Sequence, residues 1–449
     1  MKLICRRSQL KGEVRIPGSK SHTIRAVAIA SLAAGESAIR VPLDSNDTRA
    51  AVEAYRLLGA GIDTERHNGL GSPQRRKGRK DDSAAFGGTT DGPWIVQGTG
   101  GELTTPENVI DVRNSGVTLR TGMGSCALLR EGMAVLTGDE QIRRRPAGPL
   151  AASLNDLGAT VRSTRGGGAA PFIVQGRLRG GETSIEAVTS QYLSALLINC
   201  PLADGDTLIH VPLLNEAPYV EITLDWIRRH GIQLEQDDLR EFRIPGGQQY
   251  RAVDRAIPAD WSSATFFLGA GALEANDIVL RGLDMADTQG DKAVLDYVRA
   301  MGAEVTVADD VIRLRAGELA GREIDLNATP DALPMLAVLG CFARGTTRLV
   351  NVPQARIKES DRIAVMASEL RKLGGRVEEL EDGIIIHESP LHGAEVDGHG
   401  DHRVVMALAV AGCSIPGTTI VRGAEAAAVT YPEFADHMVL LGALMEVYG

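Results

Sequence analysis

One pattern of hydrophobic and polar residues recurs six times along this 449-residue chain. In each copy an Ala-rich apolar run meets a turn, a short strand rich in β-branched residues follows, and about one helix later a glycine appears. These glycines are Gly59, Gly158, Gly231, Gly302, Gly374 and Gly442. A period of about 70 residues is too long for a solenoid of helix pairs and indicates a duplicated supersecondary unit with two helices and several strands.

The first interval between these glycines is the longest, at 99 residues by subtraction against 68 to 73 for the others. A polar, Gly-rich and locally basic stretch at residues 66–93 accounts for the difference. We interpret it as a mobile surface loop, because it offers few apolar side chains for a packed core. A nucleic-acid or localisation patch is the weaker alternative.

Composition narrows the class of protein. Hydrophobic residues make up 43% of the chain, and a formal net charge of −10 argues against a general nucleic-acid-binding protein. Five scattered cysteines without a CxxC pair argue against a disulfide framework or a zinc knuckle and favour a reducing cytoplasm. Because no run of about 18 apolar residues exists, we expect a soluble, cytoplasmic protein that does not span a membrane.

Small and cationic residues stand at predicted helix starts in the first half of the chain. Lys20 follows Pro-Gly-Ser, and Arg25 comes five residues later. Free backbone N–H groups, the helix dipole and a lysine charge together favour an anion at such a position. A capped helix start with a solvated lysine explains this motif equally well on its own.

Three further motifs follow the same plan. Gly116 lies in a predicted tight turn before Arg120, and Arg145 precedes Pro146, which suits the first turn of a helix. Residues 189–192, TSQY, offer hydroxyl and amide donors, although N-capping explains them as well. Solvated arginines are the alternative for the RRR run, and at least one arginine facing an anionic pocket is our preferred interpretation.

The second half of the chain adds two carboxylates to these cations. Asp331 lies at a predicted helix start, and Glu359 lies among Arg356, Lys358 and Arg362, which would hold it ionised on one face of a helix. Two such carboxylates are suited to general acid–base catalysis. A solvated face with ion pairs is the alternative for this cluster.

A sixth helix start carries Asp401, His402 and Arg403. His399 and His402 do not indicate a metal site, because the sequence offers no third ligand nearby. All six units thus place polar or cationic residues at the start of an Ala-rich helix. If the units pack symmetrically, several positive helix ends converge, and such a site suits a doubly or triply anionic substrate.

These motifs resemble those of the EPSP synthase family of enolpyruvyl transferases. In chain order they are PGSKSHTIRA, NSGVTLR, RRRPAGPL, TSQY, DWSSATFFL, TPDALPM, RIKESDRIAVMASELRKLGG and GDHRVVMALAV. The resemblance implies an α/β fold of two similar domains, each with three βαβαββ units in an inside-out α/β barrel, and an active site in the interdomain cleft. It also implies one domain from residues 1–19 and 258–449 and a second domain from residues 20–257.

The implied reaction joins phosphoenolpyruvate to the 5-hydroxyl of shikimate 3-phosphate, without a metal or an organic cofactor, in a protein expected to be a monomer. The resemblance implies catalytic roles for Asp331, Glu359 and Lys20. Residues implied to bind phosphoenolpyruvate are Lys20, Gly116, Arg145, Gln191, Arg362 and Arg403, and Gly116 should leave room for glyphosate. Residues implied to bind shikimate 3-phosphate are Lys20, Ser21, Arg25, Thr189, Ser190, Gln191, Tyr219, Asp331, Gln354 and Lys358.

The chain departs from the family pattern at several positions. Val117 replaces the usual Thr, Gln354 replaces an Asn, and Val429 replaces a Lys that some members carry. Glu216 stands where many members place a phosphate-binding Ser or an Arg-containing loop, and a carboxylate there would repel a phosphate unless it pointed away. These departures concern the acceptor more than the phosphoenolpyruvate side.

Four alternatives follow. The first is an enolpyruvyl transferase with a different hydroxyl acceptor. A UDP-N-acetylglucosamine transferase is disfavoured because no Cys lies near residues 143–145, where that family carries a reactive one. A noncatalytic anion-binding paralogue is disfavoured by the presence of both Asp331 and Glu359. An RNA-end cyclase, which shares this type of repeat, is disfavoured by the negative charge and the 4% aromatic content.

Overall fold

The computed structural model describes residues 1–65 and 92–449, so the predicted surface loop at residues 66–93 lies almost wholly outside the described residues. The twelve α-helices of the described residues are α1 (Lys20–Leu32), α2 (Asn46–Leu57), α3 (Gly116–Cys126), α4 (Gly148–Asp156), α5 (Ser190–Asn199), α6 (Ala217–Arg229), α7 (Trp261–Ala272), α8 (Val294–Met301), α9 (Leu333–Phe342), α10 (Arg362–Lys372), α11 (His402–Ser414) and α12 (Phe434–Leu440).

Six four-stranded sheets accompany these helices in the same two described ranges. Their strands are β1 (Lys2–Arg6), β2 (Lys11–Arg15), β3 (Ala34–Arg40), β4 (Gly61–Asp63), β5 (Trp94–Thr99), β6 (Ile110–Asp111), β7 (Met133–Thr137), β8 (Thr160–Ser163), β9 (Phe172–Gln175), β10 (Gly181–Ala187), β11 (Thr207–Leu214), β12 (Glu235–Asp237), β13 (Glu241–Ile244), β14 (Asp254–Ala256), β15 (Asp277–Arg281), β16 (Glu304–Ala308), β17 (Val311–Arg315), β18 (Glu323–Asp325), β19 (Thr346–Val350), β20 (Arg376–Leu380), β21 (Gly383–His387), β22 (Glu395–Asp397), β23 (Thr418–Arg422) and β24 (Leu444–Tyr448).

The predicted βαβαββ unit is present. In the sheet ordered β6-β7-β9-β8, β6 pairs in parallel with β7, β7 pairs antiparallel with β9, and β8 pairs antiparallel with β9. Helix α3 connects β6 to β7, and α4 connects β7 to β8. A parallel pair needs such a crossover, whereas an antiparallel pair can be joined by a tight turn.

Three strands reach their sheets from elsewhere in the chain. Strand β14 pairs in parallel with β3, strand β2 pairs in parallel with β15, and strand β1 lies between β23 and β24. The first fifteen residues therefore complete two sheets of the C-terminal half. The repeats are closed by exchanged strands and are not six uninterrupted copies.

The buried apolar residues form two separate hydrophobic cores. One combines residues 3–16 with residues 259–445, and the other lies within residues 24–257. The two connections between them run side by side, because Gly18 bridges Ala259 and the Ser19 N–H donates to the Pro258 carbonyl at 2.8 Å. We propose domain limits of 1–19 with 258–449, and 20–257, which agree with this division of the cores.

In the βαβαββ units the first helix is buried and the second is amphipathic. This difference explains the inside-out arrangement. Every residue of α7 and α11 is buried, and these two helices pack against each other and against α9. Helices that are apolar all round belong in a core, whereas amphipathic ones cover its outside. The repeat glycines follow the second helices at positive φ, for example +102° at Gly158 and +120° at Gly302. Among the described helices, none combines the length and the apolar character needed to cross a membrane.

Candidate active site

A cavity between the two cores is lined by side chains from both halves of the chain. The lining residues are Lys20, Ser21, Arg25, Val117, Arg145, Ser190, Gln191, Glu216, Tyr219, Asp331, Lys358, Glu359, Arg362 and Arg403. Six are cations and three are carboxylates, so the lining carries a net charge of +3 when all are ionised. Its volume of about 40 Å³ is far below the roughly 300–1,000 Å³ of typical ligand pockets, so ligands need room that these side chains now occupy.

Helix starts meet at this cavity, as the sequence predicted. Ser19 and Asp401 cap α1 and α11, and each accepts a hydrogen bond from a backbone N–H of its first turn. Thr189 is the N-cap of α5, and Asp361 caps α10 by accepting from Ala364 N at 3.0 Å. Backbone N–H groups and helix dipoles therefore favour an anion at this place.

Two local predictions near the site are wrong. Pro146 precedes α4, whose first turn contains Pro149 instead, because Ala147 is the N-cap. Lys358 and Glu359 do not lie on a helix, since α10 begins only after them. The sequence predicts that their charges share one face of a helix, but both residues precede α10 and therefore share no helical face.

Asp331 receives three donors from two sides of the cavity. Arg362 Nη1 lies 2.6 Å from Oδ1, Arg403 Nη2 lies 2.8 Å from Oδ2, and the Tyr219 hydroxyl donates to Oδ2 at 3.3 Å. Burial alone would raise the pKa of Asp331, but the Arg403 and Arg362 guanidinium groups hold it well below its ordinary value. In this arrangement Asp331 is a weak base.

Arg362 is the centre of a carboxylate network. Besides Asp331, it donates from Nη2 to Glu359 at 2.7 Å and from Nε to Asp401 at 2.8 Å. Burial would lower the pKa of Arg362, yet Asp401, Glu359 and Asp331 raise it. Because its side chain is 1% exposed, removal of the guanidinium would leave buried carboxylates without a partner.

Glu359 lies between cations of both halves. Arg145 Nη1 lies 3.4 Å from Glu359 Oε1. Burial would raise the pKa of Glu359, but Arg145 and Arg362 lower it well below its ordinary value. Gly116 does not line the cavity, yet it shapes this pair, because a Cβ there would lie 2.9 Å from the Arg145 Cζ. The glycine lets the Arg145 guanidinium rest against the backbone.

Lys20 and Arg25 differ in their partners. Lys20 Nζ lies 3.1 Å from the buried carboxylate of Asp47, whose pKa is raised by burial in spite of Lys20. Arg25 donates to the Thr223 hydroxyl at 2.8 Å and to the Tyr219 carbonyl at 3.0 Å. Burial lowers the pKa of Arg25 to about 10. Its hydrogen bonds go to neutral oxygens, so its charge stays available for an anionic ligand.

Glu216 faces into the cavity and does not point away. Its Oε2 accepts from Thr189 Oγ1 at 3.0 Å, from Ser190 N at 3.0 Å and from Ser190 Oγ at 2.7 Å. Its Oε1 forms an ion pair with Lys358 of the other half. The condition under which a carboxylate here would not repel a phosphate, namely that it points away, is therefore not met.

Sequence reasoning missed Asp291, which lies behind the cavity. The Tyr219 hydroxyl donates to Asp291 Oδ2 at 2.8 Å, and so connects it to Asp331. Burial and the neighbouring Asp331 raise the pKa of Asp291 to about 7. Its sequence context, TQGDKAV, lies outside every quoted motif, so only the packed structure reveals this contact.

Twelve of the fifteen predicted site residues line the cavity. Thr189 reaches it through Glu216, and Gly116 through Arg145. Gln354 is not brought to it, because its amide donates to the Asn327 carbonyl at 2.9 Å. Each role assigned to these residues stays a prediction.

The two histidines of the sixth helix start have separate environments. His399 Nε2 lies 2.9 Å from Glu369, whereas His402 is buried, and burial and Arg403 lower its pKa. Within residues 1–65 and 92–449, no group of three His, Cys, Asp or Glu side chains is placed to hold a metal ion.

Comparison with known proteins supplies the family. The family profile described as EPSP synthase (3-phosphoshikimate 1-carboxyvinyltransferase) matches residues 4–80 and 88–438. A relative from Acetivibrio thermocellus named 3-phosphoshikimate 1-carboxyvinyltransferase is 50% identical over 99% of both chains. A relative of the same name from Ruminiclostridium cellulolyticum is 47% identical over 100% of both chains.

A solved structure agrees with these relatives. An EPSP synthase from Acinetobacter baumannii covers 100% of both chains with a TM-score of 0.79 and 25% identity. With its duplicated βαβαββ units, its cation-lined cleft and relatives of full length, this chain belongs to the EPSP synthase family.

Proposed function

We propose that the cavity between the two cores is the active site for the enolpyruvyl transfer of this family. The chain transfers the enolpyruvyl group of phosphoenolpyruvate to the 5-hydroxyl of shikimate 3-phosphate and releases phosphate, a step of the shikimate pathway to chorismate. The same transfer to a different hydroxyl acceptor is not favoured, because the full-length relatives carry the name of the shikimate enzyme.

Arg362 and Arg403 bind the carboxylate of phosphoenolpyruvate, and Lys20, Arg145 and Gln191 bind its phosphate. The observation that carries this proposal is that both guanidinium groups already hold one carboxylate, Asp331, at 2.6 and 2.8 Å. Guanidinium forks match planar carboxylates, so a substrate carboxylate fits the same donors.

This competition also gives Asp331 its reactivity. When the carboxylate of phosphoenolpyruvate takes the guanidinium groups of Arg362 and Arg403, Asp331 loses the cations that lower its pKa. It then becomes a stronger base and removes the proton from the acceptor's 5-hydroxyl. Binding of phosphoenolpyruvate thus prepares the base for reaction with the acceptor.

The acceptor lies against Ser21, Arg25, Thr189, Ser190, Tyr219 and Lys358. We leave Gln354 out, because its amide is engaged with Asn327 outside the cavity. Arg25 offers a buried cation whose hydrogen bonds go to neutral oxygens, as a phosphate or carboxylate of the acceptor requires. Asp331 lies across the cavity from this wall and hydrogen-bonds to Tyr219.

The chemistry needs one base and one proton shuttle. Asp331 deprotonates the 5-hydroxyl, whose oxygen bonds to C2 of phosphoenolpyruvate. At the same time the methylene carbon takes up a proton that the Lys20 ammonium supplies and the ionised Glu359 relays. In the second step Glu359 removes a proton from that carbon and returns it to Lys20, the C–O bond to phosphate breaks, and the double bond reforms. The proton held by Asp331 leaves with the released phosphate. Each well-placed acid or base contributes roughly 10²–10⁴ in rate. Side-chain cations balance the substrate charges, so the proposal requires no metal or organic cofactor.

Two finer proposals concern the protein as a whole. We propose that it acts as a monomer, because both walls of the cavity come from one chain. We propose a cytoplasmic location, because its five cysteines are all buried thiols, as suits a reducing compartment.

Phosphate release from phosphoenolpyruvate tests the function. We expect fast release with shikimate 3-phosphate and little release with unphosphorylated shikimate as control. Absence of release from folded protein that still binds phosphoenolpyruvate would contradict the acceptor assignment. Release with both acceptors at equal rate would contradict a phosphate-specific site.

A further inference from the structure

Glu216 holds donors that a phosphate would need. It is 2% exposed and sits at the start of α6 with a left-handed φ of +59°. One oxygen accepts from Thr189 and Ser190, and the other pairs with Lys358. Two hydroxyls, a helix-start N–H and an ammonium group form a donor set suited equally to a phosphate.

These donors cannot serve two anions at once. The Thr189 hydroxyl, the Ser190 hydroxyl and the Ser190 backbone nitrogen each carry a single hydrogen. All three now point at one oxygen of Glu216. A phosphate that uses them must displace the carboxylate, and two adjacent anions in a buried site repel each other.

Displacement also breaks a contact between the two halves of the protein. Glu216, Thr189 and Ser190 belong to the half with residues 24–257, whereas Lys358 lies in the half that contains residues 259–445. The phosphate would take over the lysine and restore the connection. An acceptor with a hydroxyl in place of the phosphate carries no such charge.

We propose that Glu216 is a specificity-determining residue that competes with the acceptor's phosphate for Thr189, Ser190 and Lys358. This inference rests on the proposed function. It adds that the Glu216 carboxylate of the protein itself occupies the site for the acceptor's phosphate. The affinity for the phosphorylated acceptor then reflects a difference between two free energies: that of the acceptor's phosphate at these donors and that of the Glu216 carboxylate at the same donors. Removal of the Glu216 carboxylate must therefore strengthen binding of the acceptor's phosphate.

The test measures dissociation constants of shikimate 3-phosphate and of inorganic phosphate at pH 7.5 without phosphoenolpyruvate. We expect Glu216→Gln to bind both about tenfold more tightly, which corresponds to ~1.4 kcal/mol. Glu216→Asn is the second variant, because Asn tolerates the left-handed backbone at this position. Glu221→Gln, an exposed change on the same helix, is the matched control and should leave both constants unaltered.

Unphosphorylated shikimate separates competition from a general loosening of the cleft. Its affinity should not rise in Glu216→Gln, because it brings no anion to Lys358. An equal gain for both acceptors would show that the variant merely frees the two halves, and it would overturn the proposal. Unchanged or weaker binding of shikimate 3-phosphate to both variants, in protein with unaltered melting temperature, would overturn it too.

Failure of this inference differs from failure of the proposed function. If wild-type protein turns over shikimate 3-phosphate but the variants gain no affinity, only the competition is wrong. If wild-type protein neither binds nor turns over shikimate 3-phosphate, the acceptor assignment itself is wrong.

Discussion

The two walls of the cavity are built from different chemistry. The C-terminal wall consists of Asp331, Lys358, Glu359, Arg362 and Arg403, and all five side chains carry charges in ion pairs. The N-terminal wall combines cations and one carboxylate, Glu216, with hydroxyl, phenol and amide groups. Its neutral polar residues are Ser21, Ser190, Gln191 and Tyr219.

This difference separates chemistry from recognition. Two carboxylates on the C-terminal wall, Asp331 and Glu359, have pKa values held low mainly by arginines, so their reactivity depends on what those arginines bind. On the N-terminal wall Arg25 keeps its charge free of carboxylates. We therefore expect substitutions of Asp331 or Glu359 on the C-terminal wall to alter turnover, and substitution of Arg25 on the N-terminal wall to alter acceptor binding.

The largest effect is expected from Glu359→Gln. Loss of this proton shuttle should lower kcat by about 10²–10⁴, with the dissociation constant of shikimate 3-phosphate nearly unchanged. Steady-state kinetics and equilibrium binding measure the two quantities. Glu140→Gln, an exposed carboxylate that pairs with Arg144, is the control. Retained turnover with lost acceptor binding would mean that Glu359 binds the acceptor and does not transfer the proton.

Arg362→Lys should have the next largest effect. A lysine keeps the charge but cannot donate to Asp331, Glu359 and Asp401 together. We therefore expect a lower kcat/KM for phosphoenolpyruvate, equivalent to a loss of about 2–5 kcal/mol of transition-state stabilisation. Arg371→Lys on the exposed side of α10 should leave kcat/KM unaltered. If Arg362→Lys weakened only acceptor binding, the proposal that Arg362 binds the carboxylate of phosphoenolpyruvate would be wrong.

Gly116→Ala tests how the backbone places Arg145. The added Cβ would meet Arg120 Nη1 most closely and would lie 2.8 Å from Arg145 Nη2, so both guanidinium groups must shift. We expect KM for phosphoenolpyruvate to rise by up to about tenfold, or ~1.4 kcal/mol, with weaker inhibition by glyphosate. Gly167→Ala, where the Cβ meets open space, is the control. An unchanged KM would contradict the view that Gly116 sets the position of Arg145 for this substrate.

Asp291→Asn gives the smallest effect, seen in stability. Because the pKa of Asp291 is raised from 3.8 to about 7, the folded state binds more protons than the unfolded state between these values. Wild-type stability therefore falls as pH rises through this window. The melting temperature of the variant relative to wild type should increase from pH 4 to about pH 7 and then level off. Asp296→Asn, which is exposed on α8, should show no such trend.

The sequence predicted the fold well where the signal was periodic. The six repeat glycines and the six polar helix starts correctly indicated a duplicated unit with two helices and several strands, since both depend on local patterns. The βαβαββ order of that unit was implied by the family resemblance. Local patterns did not predict strand exchange, because β14 has only three residues and nothing within the five-residue strands β1 and β2 specifies a partner strand. Their partners are chosen by tertiary packing.

The site was predicted less completely, because charge pairing across the cleft is not local. Arg362 pairs with Glu359 as predicted, although Glu359 does not lie on a helix. Lys358 instead reaches Glu216, and Arg356 pairs with Asp361 and Glu379. Likewise Asp47 and Asp291 gain their roles from partners 27 and 72 residues away. Family motifs found the remaining residues, since these lie at the helix starts.

The most direct test of the division between the walls compares Asp331→Asn with Arg25→Lys. Each variant needs two numbers, kcat at saturating substrates and the dissociation constant of shikimate 3-phosphate. We predict that Asp331→Asn lowers kcat by about 10² or more with nearly wild-type binding, while Arg25→Lys weakens binding about tenfold and changes kcat little. If both variants changed the same quantity to a similar degree, the walls would not divide chemistry from recognition.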